Sequence, residues 1–367
     1  MSLGKLNKKL ILLGRNFCSK SDPYFIHNER NNCGVLQLYR PKALNAINRD
    51  TFNNLYVLLN ELQNRNNLVI FKGNDKIFSS GGDIKELVQF TSIDQAKEYY
   101  QHPLNLFRLV HNFKVPFIPL MNGVCFGAAS NLTVAAKKYR VATEKTDFAM
   151  PEAKIGYVTD NGSSYFLSRV PRNIGYYIAL ASPRIKGYDM NKIGLADYYI
   201  ESERLSELED ELVKSKNTDD IERTLKKFSS EPPKHTEMDT LIKEIDKCFD
   251  GDTVEEIVDN LNLDGSEWAM NIVRSMNKNS PTSLKVCHKE LTLGKSMSLD
   301  DCLKMEYRLA IHHFTGKGDF NEGVRALLID RDNKPQWEFK ALHEVTNEYV
   351  NEFFKPLDDQ KELVFKD

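Results

Sequence analysis

Residues 117–162 read FIPLMNGVCFGAASNLTVAAKKYRVATEKTDFAMPEAKIGYVTDNG, and the rest of the chain can be arranged around them. Phe117 to Met121 is an apolar run of strand type, closed by the turn pair Asn122-Gly123. Gly127-Ala128-Ala129-Ser130 is a small-residue run where another group can approach the backbone closely. A helix is expected from Ala128 to Ala136, so the unpaired N–H groups of its first turn would face that spot. Such donors suit an anion, or a carbonyl oxygen that becomes one. A second apolar segment, Tyr139 to Thr143, leads to Phe148-Ala149-Met150-Pro151-Glu152, and Asp160 follows eight residues later in a Thr-Asp-Asn-Gly loop. Backbone donors and two carboxyl groups on adjoining loops are the parts that acyl chemistry needs.

Upstream, Gly34 to Tyr39 reads as a strand closed by Arg40-Pro41, and Leu44 to Ile47 leads into a helix through Asn60. Leu68 to Phe71 is a short continuous apolar run, as expected of a strand buried on both faces. Lys76 to Ile84 is a glycine-bearing loop, with a helix from Lys85. This alternation argues for a layered α/β core over residues 30–200. Downstream the pattern turns helical: Leu205, Leu208 and Leu212 share one helix face, 229–234 reads as a loop, and helical patterns run from Thr253 to Leu309 with a break at Ser280-Pro281. Residues 201–367 are therefore expected to form a helical region packed on the core.

With 367 residues, 41% hydrophobic and 28% charged, the chain can bury a sizeable core. Its net charge of −2 gives no support for a nucleic-acid partner. No run has the length of a membrane span. The six cysteines, at 18, 33, 125, 248, 287 and 302, form no CxxC pair, which argues against a zinc ribbon or a disulfide framework. Residues 1–22 carry Lys5, Lys8, Lys9, Arg15 and Lys20 with no acid before Asp22, a composition like that of a mitochondrial transit peptide.

Five further pieces make the pattern specific: Arg140 to Lys145, Phe148 to Glu152, Ser280 to Lys285, Met305 to Leu309, and Glu322 to Ala326 with Leu328 to Asp330. With them, the chain from Gly34 to Leu357 resembles the crotonase (enoyl-CoA hydratase/isomerase) superfamily, and within it the 3-hydroxyisobutyryl-CoA hydrolases of valine breakdown. The resemblance implies a spiral core of repeated ββα units and a mitochondrial-matrix enzyme that hydrolyses a short hydroxyacyl-CoA. No metal or separate cofactor is implied, because coenzyme A arrives as part of the substrate. A homo-oligomer is allowed.

Residue by residue, the resemblance makes Glu152 and Asp160 the catalytic pair and the Gly82 and Ala128 N–H groups the oxyanion hole. Phe78, Ser80, Asp83 and Lys42 become the coenzyme A contacts. Gly82 would let a thioester oxygen reach the backbone without a Cβ in the way. The usual three glycines are here Gly127-Ala128-Ala129, and the usual Pro-Asp-Val-Gly-Gly-Gly is Thr159-Asp160-Asn161-Gly162-Ser163-Ser164. Asn131 stands where hydratases place a second glutamate, and Pro103 where hydrolases often carry one. Glu152 alone reads equally as a helix-start residue after Pro151, and Asp160 as a turn residue. Two rival readings follow: an enoyl-CoA hydratase or isomerase, and a non-catalytic paralogue serving as a mitochondrial ribosome component. Ser163 and Ser164 lack a nucleophile-elbow context, His312 and His313 lack metal-ligand spacing, and Cys125 reads as a small packed residue.

Overall fold

The computed structural model describes residues 24–314, 318–357 and 362–366. The expected transit segment lies outside the described residues.

Ten strands occupy the first part of the chain: β1 (Phe25–Arg30), β2 (Cys33–Leu38), β3 (Leu68–Lys72), β4 (Ile77–Ser79), β5 (Phe117–Met121), β6 (Val124–Phe126), β7 (Val141–Ala142), β8 (Asp147–Ala149), β9 (Ile185–Lys186) and β10 (Tyr198–Tyr199). They form a six-stranded sheet of order β1-β2-β3-β5-β7-β10 and a four-stranded sheet of order β4-β6-β8-β9. The larger sheet is parallel except for the β1–β2 hairpin, and the smaller one except for β8–β9. One turn of the spiral thus runs β3 to β4, the next β5 to β6, and the next β7 to β8, each adding a strand to both sheets. Parallel pairing requires cover on both faces, which explains the unbroken apolar runs Leu68–Phe71 and Phe117–Met121.

The strand expected from Gly34 is present, and β1, which sequence reading did not find, pairs antiparallel along its whole length. The expected Tyr139–Thr143 strand shortens to Val141–Ala142, and Tyr139 itself has φ 69°, outside the strand region. The expected helix at Ala128 is found as Gly127–Val134, with every residue buried. The helix expected from Lys85 is one short turn, Ile84–Leu87, and the long helix of this region is Ile93–His111. Pro103 sits inside that helix.

Beyond β10 the described residues hold helices and turns. Leu205–Leu212 and Thr218–Phe228 cover one face of the larger sheet through Leu208, Leu212, Ile221, Leu225 and Phe228, against Ile70, Ile118 and Val141. The later helices, among them Pro281–Gly294 and Leu299–Phe314, join the other core, which also contains Phe71, Leu104 and Phe148. Burying the apolar faces of both regions in one continuous cluster ties them together energetically. Among the described residues no helix is long and apolar enough to cross a membrane, and the five described cysteines are free and buried.

Candidate active site

Between the ends of the second sheet and the helix Ile93–His111 lies a cavity of about 70 Å³, walled by Ser80, Gly82, Ala128, Glu152, Tyr157 and Asp160 among others. It is far smaller than the roughly 300–1,000 Å³ of drug-sized pockets, so it fits a short acyl group and not a nucleotide.

On one wall, Ile47 and Gly82 form a parallel bridge in which Ile47 N–H donates to Gly81 C=O at 2.8 Å and Asp83 N–H to Ile47 C=O at 3.0 Å. That pairing turns the Gly82 N–H the other way, where it has no acceptor among the described residues. Gly81 and Gly82 are glycines for different reasons. Gly81 has φ 103°, and a Cβ there would sit 2.9 Å from Phe126 C=O, so the fold demands glycine. A Cβ on Gly82 would meet nothing within 4 Å, so the room beside it serves something other than the fold.

Ala128 is the second residue of the Gly127–Val134 helix, whose N-cap Phe126 supplies no side-chain acceptor. Its N–H is one of the orphan donors of a helix start. An ideal Cβ on Gly81 would lie 3.7 Å from the Ala128 nitrogen, so the two donor-bearing backbones run side by side.

Glu152 opens a 3-10 turn, Glu152–Ile155, directly after β8 and Pro151. Gly127 makes room for it: a Cβ there would lie 2.8 Å from Glu152 Oε1. Glu152 Oε2 is buried with no hydrogen-bond partner in the described structure. Burial, and next the neighbouring Asp160 charge, push its carboxyl up to about 8. A buried carboxyl with an idle oxygen facing a cavity has no structural task to explain it.

Asp160, 5% exposed, lines the same cavity. Tyr157 O–H donates to its Oδ2 at 3.1 Å, and Asn161 Nδ2–H to its Oδ1. Burial, and next the Glu306 charge, raise it to about 8. The loop is anchored from three sides. Asn131 Nδ2–H donates to Asp160 C=O at 2.7 Å and to Ser163 Oγ at 2.8 Å. Glu306, on Leu299–Phe314, accepts from Gly162 N–H at 2.6 Å, Ser164 N–H at 2.9 Å and the Ser164 hydroxyl. Thr159 O–H donates to Glu290 on Pro281–Gly294.

Of the residues singled out from the sequence, Glu152, Asp160, Gly82, Ala128 and Ser80 therefore meet at one cavity. Phe78 does not: its ring is fully buried in the core, edge-on to Phe71 at 5.3 Å. Its carbonyl is also taken, by Asn45 Nδ2–H at 3.1 Å. Asp83 is held by the Arg40 guanidinium at 3.1 Å and fixes the loop instead of facing the cavity. Lys42 is exposed on the 3-10 turn Pro41–Ala43, outside the cavity wall. Sequence reasoning missed Tyr100, Tyr157, Glu290 and Glu306. Glu290 and Glu306 did leave a signal, since each falls on the apolar stripe of its helix.

Residues 33–354 match the model of the enoyl-CoA hydratase/isomerase family. The chain belongs to that family. Its curated relatives include the mitochondrial 3-hydroxyisobutyryl-CoA hydrolases of Xenopus laevis, 39% identical over 88% of this chain and 86% of that one, and of Homo sapiens, 38% identical over 90% and 88%. Among solved structures, a carnitinyl-CoA dehydratase from Mycobacterium thermoresistibile superposes with a TM-score of 0.87 at 27% identity, covering 94% of this chain and 99% of that one. An enoyl-CoA hydratase from Rhodobacter sphaeroides gives 0.85 at 26% identity, covering 93% and 100%. The family places this chain among proteins built on the crotonase fold, as its α/β core and spiral strand order require.

Proposed function

We propose that this family member hydrolyses the thioester of a short hydroxyacyl-CoA, 3-hydroxyisobutyryl-CoA, to the free acid and coenzyme A. The observation that carries the reading is the pair of buried carboxyls, Glu152 and Asp160, lining one acyl-sized cavity beside two idle backbone donors. The relatives' names support the substrate.

In the reaction, the Gly82 and Ala128 N–H groups hold the thioester oxygen as it gains charge, each worth about 3–4 kcal/mol if well placed. Glu152, ionised, attacks the carbonyl carbon or takes a proton from the attacking water. Asp160, protonated, gives its proton to the leaving coenzyme A sulfur. Water supplies the oxygen that ends in the acid when Glu152 acts as base. When Glu152 attacks, water cleaves the resulting anhydride at the Glu152 carbonyl, and the acid leaves with a Glu152 oxygen. In this reading Ser80, on the cavity lining, and the exposed Lys42 outside it meet the rest of coenzyme A, which comes with the substrate. Asn131 is spent on anchoring the Asp160 loop, so a second carboxyl of hydratase type is replaced by an amide. The basic, acid-poor segment before Asp22 supports import into the mitochondrial matrix.

The test is thiol release from 3-hydroxyisobutyryl-CoA alongside enoyl absorbance with a short enoyl-CoA. Thiol release without enoyl loss is expected, and the reverse pattern would sink the reading. Single turnover in ¹⁸O-water separates the two Glu152 routes: label within the Glu152 carboxyl marks nucleophilic attack.

A further inference from the structure

The helix Ile93–His111 turns Tyr100 and Pro103 toward the cavity, and Tyr157 reaches it from the strand-to-loop segment before Asp160. Tyr157 Oη lies 2.7 Å from Tyr100 Oη and 3.1 Å from Asp160 Oδ2. The three groups form a line, and a phenol has only one proton to give. When Asp160 is ionised, Tyr157 must donate to it and Tyr100 must donate to Tyr157. The Tyr100 oxygen then has only lone pairs to offer the cavity. When Asp160 is protonated the line reverses: Asp160 donates to Tyr157, Tyr157 to Tyr100, and the Tyr100 proton is left for the cavity. A ligand group that suits both states must both donate and accept. A hydroxyl does so, whereas a methyl or hydrogen leaves the cavity side of the buried phenol, already bonded to Tyr157, without a second partner. Burial of both rings, beside Asp160, keeps both phenols protonated.

The geometry points to Tyr100 as a specificity-determining residue that hydrogen-bonds a hydroxyl on the acyl chain, with Tyr157 as the positioning residue that couples it to Asp160. This rests on the thioester-hydrolase reading of the site and deepens it. Pro103, the next cavity residue on the helix, offers only carbon, so the polar contact on this wall falls to the phenol. The Tyr100 ring is held independently of its hydroxyl, by Tyr99 at 5.1 Å and Phe314 at 5.9 Å. Removing the oxygen therefore leaves the wall in place.

The experiment compares kcat/KM for 3-hydroxyisobutyryl-CoA and for isobutyryl-CoA in wild type, Tyr100→Phe and Tyr157→Phe, with thermal melts as the folding check. Wild type should prefer the hydroxylated thioester, and Tyr100→Phe should shrink that preference by roughly 10–100-fold, almost wholly on the hydroxylated substrate. Tyr157→Phe should shrink it less but move the alkaline limb of the pH profile upward, because Asp160 loses a donor that favours its ionised form. The other titratable groups about Asp160, namely Glu152, Glu290, Glu306 and Tyr100, stay in place in that variant. An equal loss on both thioesters, or an unchanged preference in Tyr100→Phe, would overturn the proposal. If wild type releases no thiol from either compound, the hydrolase reading has failed by itself, and calorimetric binding of the two thioesters then decides. A binding preference for the hydroxylated compound that Tyr100→Phe abolishes upholds the pair; indifference in wild type ends it.

Discussion

On the oxyanion wall of the cavity, Gly82 and Ala128 are set by backbone alone, through the Ile47 bridge and the start of the Gly127–Val134 helix. On the wall that carries Asp160, the loop is held by side chains far away in the chain: Glu290, 131 positions from Thr159, and Glu306, 144 positions from Gly162. The first wall is a property of the strand spiral. The second exists only once the late helices have docked. The helical region beyond β10 is thus a structural part of the candidate site, because its buried carboxylates are what shape the Asp160 loop. A family pattern that loses its loop proline and glycines can keep its shape here, because Thr159, Ser163 and Ser164 each carry a hydroxyl that bonds to Glu290, Asp160 C=O or Glu306.

The largest effect should come from Glu152→Gln, which keeps size and removes the ionisable oxygen. Thiol release should fall about 10²–10⁴-fold, as for other positioned acids and bases. The melting temperature should hold, because Oε2 has no partner to lose. In the unmodified protein, kcat/KM should peak near pH 8, rising as Glu152 ionises and falling as Asp160 does, since both lie at about 8. A flat profile from pH 6 to 9 would remove the acid–base assignment.

Glu306→Ala should break the side-chain-held wall and spare the backbone-held one. It strands the Gly162 and Ser164 donors in a buried site and should cost about 3 kcal/mol of stability. Turnover should fall with it, while the oxyanion wall remains. Denaturant unfolding and thiol release measure the two. Glu306 also gives stability a pH dependence. Burial raises its carboxyl to about 7, so the folded state holds a proton that the unfolded chain releases at the ordinary carboxylate range. Its contribution is fully present below that range and is lost as pH rises through about 7. Melts from pH 4.5 to 8 should show this decline, and Glu306→Gln should flatten it.

Two neighbouring glycines sharpen the comparison further. Gly81→Ala should cost about 1–3 kcal/mol, since φ 103° and the Phe126 carbonyl both oppose a Cβ. Gly82→Ala should leave the melt unchanged and still lower turnover about tenfold, by filling the room beside the oxyanion donor. If both variants lose stability alike, Gly82 is a fold residue and its place in the hole is lost. The smallest effect expected is that of Thr159→Val. It removes one hydrogen bond to Glu290 and should cost about 1 kcal/mol by denaturant unfolding.

The residues that decide the fold are legible in the sequence because their signals are local. Leu68–Phe71 and Phe117–Met121 are apolar without interruption, as only strands covered on both faces can be, and Gly127-Ala128-Ala129 marks a close backbone approach. The antiparallel β1 escaped notice because Phe25–Arg30, with His27, Asn28, Glu29 and Arg30, has the composition of an edge strand and no apolar run. Glu152 and Asp160 were found through the flanking residues they share with a family, although each alone resembles a cap or a turn. Phe78 shows the limit of that route: it shares the flanking pattern with Ser80 and Gly82, which reach the cavity past the end of β4, yet its own ring packs in the core against Phe71. The Tyr100–Tyr157 contact and the Glu290 and Glu306 anchors join residues 57 to 144 positions apart. A hydrogen bond needs donor and acceptor aligned about 3 Å apart in space, whatever their separation along the chain. The sequence by itself determined which residues were available for such bonds, and only the packing of the helix Ile93–His111 and of the late helices on the spiral core decided which of them met.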